Sequence, residues 1–498
     1  MRAYIIYHVF KADFLERTRR FSFMALCAAV MFLTFFSVPD VKAPFVSICI
    51  EPYIFRQGSN ATWIPITISL CGGILFPIVG FGFVKGNISM DRNSGFLYTC
   101  QSMSMKNGNY VVGKFLSNLL MLTIMWLVAI VSAAIMLVLN FPSHTLTFYV
   151  YISPFMGIYP GIVFAAVFAV ILESLPIHDG FKNAVGITTL FIMFLISYSV
   201  SDYSSPIIRI MDYSNYRWNM DSINSVVNPV IGHDVWETGI LVPSGIFSES
   251  DGTKEIFFHG LLWDSSYFAD KLFLIAICLI LVAVAVMALE RTERERKHTA
   301  KHSREHMRFT RSHYLSHFMF ELKMLLKGFP KTAFILVTGL WVYSFFAPLR
   351  YVQGYVWVIT LIFTMPVFSQ IGCREYEHNM VEYFMTIKFS LVKQTLYSYL
   401  WGVFVLQMIS IPVVLKLIWL HEYFYACCYV VFSLFVPAAA SFLGEFSKTR
   451  RTFETLFLLL CFLLINIPSF LLNGYVAVIM GTGMVILFFA VFVKKVKA

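Results

Sequence analysis

The chain has 498 residues, of which 58% are hydrophobic, 17% aromatic and only 13% charged, a composition that excludes an ordinary soluble protein. Its net charge of +10 at pH 7 is spread beside apolar runs instead of being gathered on one folded stretch, which argues against a nucleic-acid partner.

A bilayer core takes about 20 consecutive apolar residues per helix, and runs of that kind recur along nearly the whole chain. They predict about twelve spans, at residues 21–38, 63–84, 115–139, 148–172, 185–200, 272–289, 333–347, 355–371, 396–419, 423–443, 453–472 and 476–493. Helices are expected throughout, because backbone groups left unpaired in hydrocarbon are costly and the runs lack the alternation of a membrane barrel. Pro154 and Pro160 leave open a start for the fourth span as far in as about Ile158. With the N-terminus inside, 30 of the 38 lysines and arginines fall on the cytoplasmic side. That asymmetry orients the protein in the cell membrane with both termini cytoplasmic. The first span is read as a membrane helix and not as a cleaved signal, since no small-residue cleavage site follows it before Pro39. Of the nine cysteines only Cys49 lies in a clear external loop, so no disulfide framework is expected.

The fold class expected is therefore an all-α polytopic membrane protein built as two parallel six-helix repeats. Residues 1–290 form the first half, 291–330 a basic cytoplasmic linker with a second interfacial helix, and 331–498 the second half. Each half opens with an amphipathic stretch. Residues 4–20 carry Ile6, Phe10 and Phe14 on one face with Arg17, Arg19 and Arg20 nearby, and residues 313–327 carry Leu315, Phe318, Leu322 and Leu325. In each half a cytoplasmic segment of about 25 to 30 residues joins the second and third spans. Set together without a gap, Met90-Asp91-Arg92-Asn93-Ser94-Gly95 runs against Arg374-Glu375-Tyr376-Glu377-His378-Asn379. Two loops break the symmetry: residues 201–270, polar and assigned to the outside, and the charged linker from Glu290 to Pro330.

Other motifs are weaker. Gly108 to Lys114 has the glycine and lysine spacing of a phosphate loop, but Phe115 replaces the required hydroxyl residue and a membrane span follows. His298, His302 and His306 stack at four-residue spacing, yet their neighbours are cations and no acid or thiolate completes a metal site. Charges within spans are nearly absent. Glu173 is placed at the cytoplasmic end of its span and Lys416 near the outer face, so no acid relay is expected at the bilayer centre. No span offers paired histidines or carboxylates to a shared site, and no enzyme activity, metal or cofactor is expected of this chain.

The stretch Phe10-Lys11-Ala12-Asp13-Phe14-Leu15-Glu16-Arg17-Thr18-Arg19-Arg20-Phe21-Ser22-Phe23, with Gly372-Cys373-Arg374-Glu375, His378-Asn379 and Phe384, resembles permeases of the ATP-binding-cassette superfamily, type-2 exporter branch, of bacteria. The resemblance covers the whole chain in architecture and these stretches in letters. It implies a separate cytoplasmic ATPase, in two copies that hold the ATP, docking on the segments after the second span of each half. By position it assigns Asp91, Arg92, Gly95, Arg374, Glu375 and Asn379 to those coupling segments, and Phe14, Arg17, Arg19 and Arg20 to the interfacial helix. It implies outward movement of a peptide, antibiotic or other amphipathic substrate. The competing reading is an ion-coupled secondary transporter of the major-facilitator kind, which shares the parallel six-helix plan. The spacing of Gly86, Asp91, Arg92 and Gly95 does not fit its loop motif.

Overall fold

The structure, a computed structural model, describes residues 2–38, 61–102, 105–142, 146–175, 179–199, 206–231, 256–299, 315–326, 329, 331–377, 380, 391–466 and 471–497. Among these residues there are helices and turns and no strand. In chain order the helices are α1 (Arg2–Thr18), α2 (Phe21–Ser37), α3 (Ile64–Val84), α4 (Asn87–Asn93), α5 (Phe96–Ser102), α6 (Asn107–Asn140), α7 (Phe148–Ser174), α8 (Asp179–Ser199), α9 (Pro206–Met211), α10 (Tyr216–Ile231) and α11 (Ser265–Thr299). There follow α12 (Leu315–Leu326), α13 (Lys331–Phe346), α14 (Trp357–Phe368), α15 (Arg374–Glu377), α16 (Leu391–Trp419), α17 (Tyr423–Ser447), α18 (Arg450–Asn466) and α19 (Gly474–Lys497).

Among the described residues seven helical stretches are long and apolar enough to cross a membrane: 61–92, 107–140, 148–174, 265–291, 392–419, 423–447 and 474–495. Shorter apolar helices lie at 21–34, 185–194, 334–346 and 352–368. This is the make-up of a polytopic membrane protein, and among the described residues the apolar runs singled out in the sequence are mostly helical. One start agrees with its apolar run and one lies earlier. The helix α7 starts at Phe148 and carries Pro154 and Pro160 inside it, and two of its carbonyls accept from neighbouring helices: Ser69 Oγ donates to Pro154 O at 2.7 Å and Trp126 Nε1 to Phe155 O at 3.0 Å. The helix α6 starts at Asn107, so the stretch from Gly108 to Lys114 is helical and not a loop.

The chain clusters into two compact units, residues 1–19 with 26–301, and 20–25 with 302–498. In the first, α3 and α7 pack along each other as the centre and are largely covered, whereas α11 turns most of its surface outward. Their faces are apolar and small, so the packing rests on close backbone approach and dispersion, the terms that remain when the solvent is itself apolar. In the second unit α17 is central, flanked by α16 and α19, and α19 is the outward-facing member. The chain before α14 makes a π-helical turn at Val352–Val356, and Trp357 then seats against Tyr429 and Phe432, its indole N–H donating to Ser410 Oγ at 3.2 Å.

The segment assigned to an external loop is the main departure from the sequence reading. Of residues 201–270, the described parts form α9, α10 and a stretch from Ile256 that fold back onto the spans. Tyr216, Met220, Ile223 and Val227, spaced four, three and four apart, bury one face of α10 against Trp63, Ile66, Leu70, Phe258 and Leu261. The stretch from Ile256 is pinned by hydrogen bonds from Trp63 Nε1 to Ile256 O (2.8 Å), from Phe258 N to Thr62 Oγ1 (3.1 Å) and from Leu261 N to Ser153 Oγ (3.1 Å).

The turn between α9 and α10 is inserted deepest. A Cβ built on Gly73 would lie 2.1 Å from Ser214 O, and one on Gly161 2.6 Å from Tyr213 O. Only glycine lets the turn lie there. Gly73 sits half-way along α3, about 13 Å from its first residue at 1.5 Å rise per residue. The Tyr213 ring stacks on Phe164, and its hydroxyl donates to Leu190 O at 2.8 Å.

Candidate functional site

In the first unit the polar end of the bundle holds a buried cluster made by α1, α4 and the first turns of α6. Lys114 donates to Asp13 Oδ1 at 2.5 Å and lies 2.6 Å from Asp91 Oδ2, so one ammonium ties the interfacial helix to the segment after the second span. Asp13 also pairs with Arg17 one turn on, and Arg17 Nη1 donates to Asn118 Oδ1 at 2.7 Å. Tyr110 donates its hydroxyl to the second bonded oxygen of the set, Asp91 Oδ2, at 2.6 Å. Asp13, Arg17 and Lys114 are each buried, a placement charges tolerate only when paired in good geometry.

The segment itself opens on Gly86, in the left-handed conformation at φ 84°. The Glu173 carboxylate, at the end of α7, accepts from the backbone N–H groups of Gly86 and of Ile88, the latter at 2.6 Å. These are the orphan donors at the start of α4. Glu173 is therefore a cap that fixes the segment, beyond the interfacial anchor its position suggested.

The second unit contains a cluster of the same design from other residue types. Glu321 on α12 pairs with Arg374 of α15 and accepts from Ser398 Oγ of α16 at 2.5 Å. Glu375 accepts from Gln394 Nε2 at 2.9 Å and lies 3.6 Å from Arg374. Gly372 is again left-handed at φ 81°, and a Cβ on it would lie 2.5 Å from Ser441 O. Glu445, near the end of α17, accepts from the Tyr376 hydroxyl and is flanked by Lys494 and Lys495, each at 3.4 Å. Burial and then the Glu445 hydrogen bond push the Tyr376 phenol well above its ordinary range, so it stays a donor at physiological pH.

The structure thus shows what the charged residues singled out in the sequence do. Arg92, Arg374 and Glu375 are buried and Asp91 is paired with Lys114. Gly95 is left-handed at φ 79° and starts α5. Arg17 is buried in its ion pair, Phe14 is half-buried and stacked on Phe10, and Arg19 is exposed beside half-buried Arg20. Asn379, His302, His306 and His313 lie outside the described residues. Outward the segment between α3 and α6 turns large apolar side chains, Met90, Phe96 and Tyr98 at 39%, 52% and 41% exposed, among exposed Ser94, Thr99 and Ser102.

Compared with protein families, curated proteins and solved structures, the chain matches none of them. The clusters must be read on their chemistry.

Charges that the sequence placed in an outer loop form a further buried group. The Asp212 carboxylate accepts from Ser214 Oγ at 2.7 Å and from Arg217 N at 3.2 Å, so it caps the start of α10. Lys271 Nζ donates to Asp212 O at 2.7 Å, closing the turn that follows α9. Each charge answers a backbone need of a turn buried beside the middle of α3. Lys416 likewise does not simply reach for water, since it donates to Ala347 O at the end of α13.

Burial raises the Asp13 carboxyl, but the Arg17 and Lys114 cations outweigh it and leave the group below its ordinary value. The stabilisation tied to that depression is complete above the usual carboxylate range near pH 4 and is lost as pH falls through the folded value. Thermal unfolding in detergent is expected to show a midpoint that drops on acidification below about pH 4, with Asp13→Asn flattening that part of the profile. A wild-type profile that Asp13→Asn leaves unchanged in shape would contradict this.

Proposed function

We propose that the chain is the membrane-embedded permease subunit of an ATP-driven exporter, worked by a separate cytoplasmic ATPase that docks on the segment between α3 and α6 and on its counterpart around α15. One observation carries the proposal. The first segment is stapled from beneath by Glu173, Lys114 and Tyr110 while Met90, Phe96 and Tyr98 stand out of it. A rigid short element with exposed apolar side chains at the polar end of a bundle suits a soluble partner that pushes on it, because force passes through ion pairs to α1 and α6 and is not absorbed by a loose loop. The similar cluster of Glu321, Arg374 and Glu375 supports two such elements in one chain, and with them the twelve-span, two-repeat plan. With Gly86 set against Gly372, Asp91 falls opposite Glu377 and not Glu375, two positions from the gapless pairing. The cytoplasmic placement of both segments, and of the termini in the cell membrane, follows from the distribution of lysine and arginine. A peptide or other amphipathic substrate follows from the resemblance of the α1 and Gly372 stretches to bacterial exporters.

Copurification tests this directly. From the native host the chain is expected to bring down an ATPase of roughly two subunits per permease, and Phe96→Asp to reduce its recovery severalfold, as loss of an interface anchor does, with the thermal midpoint unchanged. Recovery of no ATPase from a folded, detergent-stable wild-type protein would overturn the reading.

A second reading has one observation in its favour. Asp212, Arg217 and Lys271 are charges buried inside a bundle, the usual mark of an ion path, and would suit an ion-coupled transporter. Their bonding favours a structural role: Asp212 is spent on the cap of α10 and Lys271 on a backbone carbonyl. Substrate movement in vesicles driven by a proton or sodium gradient, without ATP, would favour this reading.

A further inference from the structure

We infer that the groove between the start of α16 and the end of α19 is a binding site for an anionic phospholipid. The groove is lined by Val392, Thr395, Leu396, Phe488 and Phe492, with Lys495 at its polar end, and encloses about 70 Å³. Its surfaces are almost wholly apolar, and Leu396 and Phe492 are left 40% and 45% exposed. It lies beside α19, most of whose apolar length is uncovered. A groove of this kind in a spanning bundle is filled by acyl chain.

What selects the headgroup is the charge at the groove's end. Glu445 is 2% exposed and carries one negative charge against the two positive charges of Lys494 and Lys495, both 3.4 Å from it. Its remaining partners are neutral: Tyr376 donates a hydroxyl, and Lys494 also reaches the Glu445 backbone carbonyl at 2.9 Å. The group therefore keeps one unbalanced cation. Lys393 is exposed on the same turn that carries Val392 and Leu396. A phosphate diester bearing a net negative charge balances that excess, whereas the zwitterionic phosphocholine headgroup brings none. Basic positions between spans at the membrane surface select anionic headgroups on the same ground. The lipid would bridge α16 and α19 and hold Lys494 and Lys495 over Glu445, so its occupancy bears on the Tyr376 segment. The inference rests on the chain lying in a membrane and not on the exporter reading, and copurification of an ATPase neither supports nor weakens it.

The test uses the full chain in nanodiscs of phosphatidylcholine, alone or mixed with phosphatidylglycerol, followed by native mass spectrometry of lipid retained after transfer to detergent. Wild type is expected to retain phosphatidylglycerol over phosphatidylcholine by about fivefold for each selecting lysine, the equivalent of about 1 kcal/mol. Leu396→Trp, which fills the groove without touching a charge, should lose retention of both lipids. Lys393→Gln should lower the preference while retaining lipid, and Lys106→Gln, on the first unit, should leave it unchanged. Equal retention of the two lipids by wild type, or undiminished phosphatidylglycerol on Leu396→Trp, would overturn the proposal.

Discussion

Gly73→Val is expected to be the most damaging single substitution in the first unit. The Ser214 carbonyl lies where the new Cβ must go, and the obstacle is backbone, with no flexible side chain to yield. Overpacking of a core costs about 1 to 3 kcal/mol when side chains can shift; here the turn must leave, and the cost is at least about 3 kcal/mol. Leaving also strips Asp212 from the start of α10 and Lys271 from Asp212 O, so the loss is cooperative. Two measurements report it. The thermal midpoint in detergent falls steeply, and a cysteine placed by Ser214→Cys, protected from a membrane-impermeant maleimide in the parent, becomes reactive when Gly73→Val is added. Retained protection in that double variant would show that the turn does not occupy the slot.

Lys114→Met is expected to have the second largest effect. The substitution keeps length and removes the charge, leaving Asp13 with Arg17 and Ser117, and Asp91 with the Tyr110 hydroxyl. Breaking one partner of a buried ion pair costs about 3 to 5 kcal/mol, because the remaining charge stays desolvated. Adding Asp13→Asn to Lys114→Met should recover part of the loss, a coupling expected of residues that share an ion pair and absent for independent sites. On the proposed function the same variant also loosens the docking segment from α1 and α6, so ATPase recovery falls further than with Phe96→Asp. If the two substitutions add without coupling, the Lys114 bridge is not what joins the elements.

The seven long apolar helices were legible because twenty apolar residues in a row have few alternatives, and helix is the only local way to satisfy their backbones. The segment at residues 201–270 was not legible from composition. Its serines, asparagines and charges read as solvent-facing, and what pulls it inward lies elsewhere in the chain, in the bare backbone of Gly73 on α3 and Gly161 on α7. One local signal did exist: the spacing of Tyr216, Met220, Ile223 and Val227 is that of an amphipathic helix. The start of α6 was set late because Lys114 reads as a span boundary, whereas a lysine shared by two carboxylates is accommodated one turn further in. Charge in the segments after α3 and α14 was visible in the sequence, but its direction was not. Asp91, Arg374 and Glu375 face inward because Lys114, Glu321 and Gln394 arrive from distant parts of the chain.

Side-specific labelling of single added cysteines against the wild-type background tests the central claim most directly. Ser94→Cys, at the exposed turn between α4 and α5, and Met380→Cys, just beyond α15, are predicted to react with an impermeant maleimide only in inside-out vesicles, and Ser265→Cys, at the start of α11, only in intact cells. Labelling of Ser94→Cys and Ser265→Cys from the same side of the membrane would contradict the account.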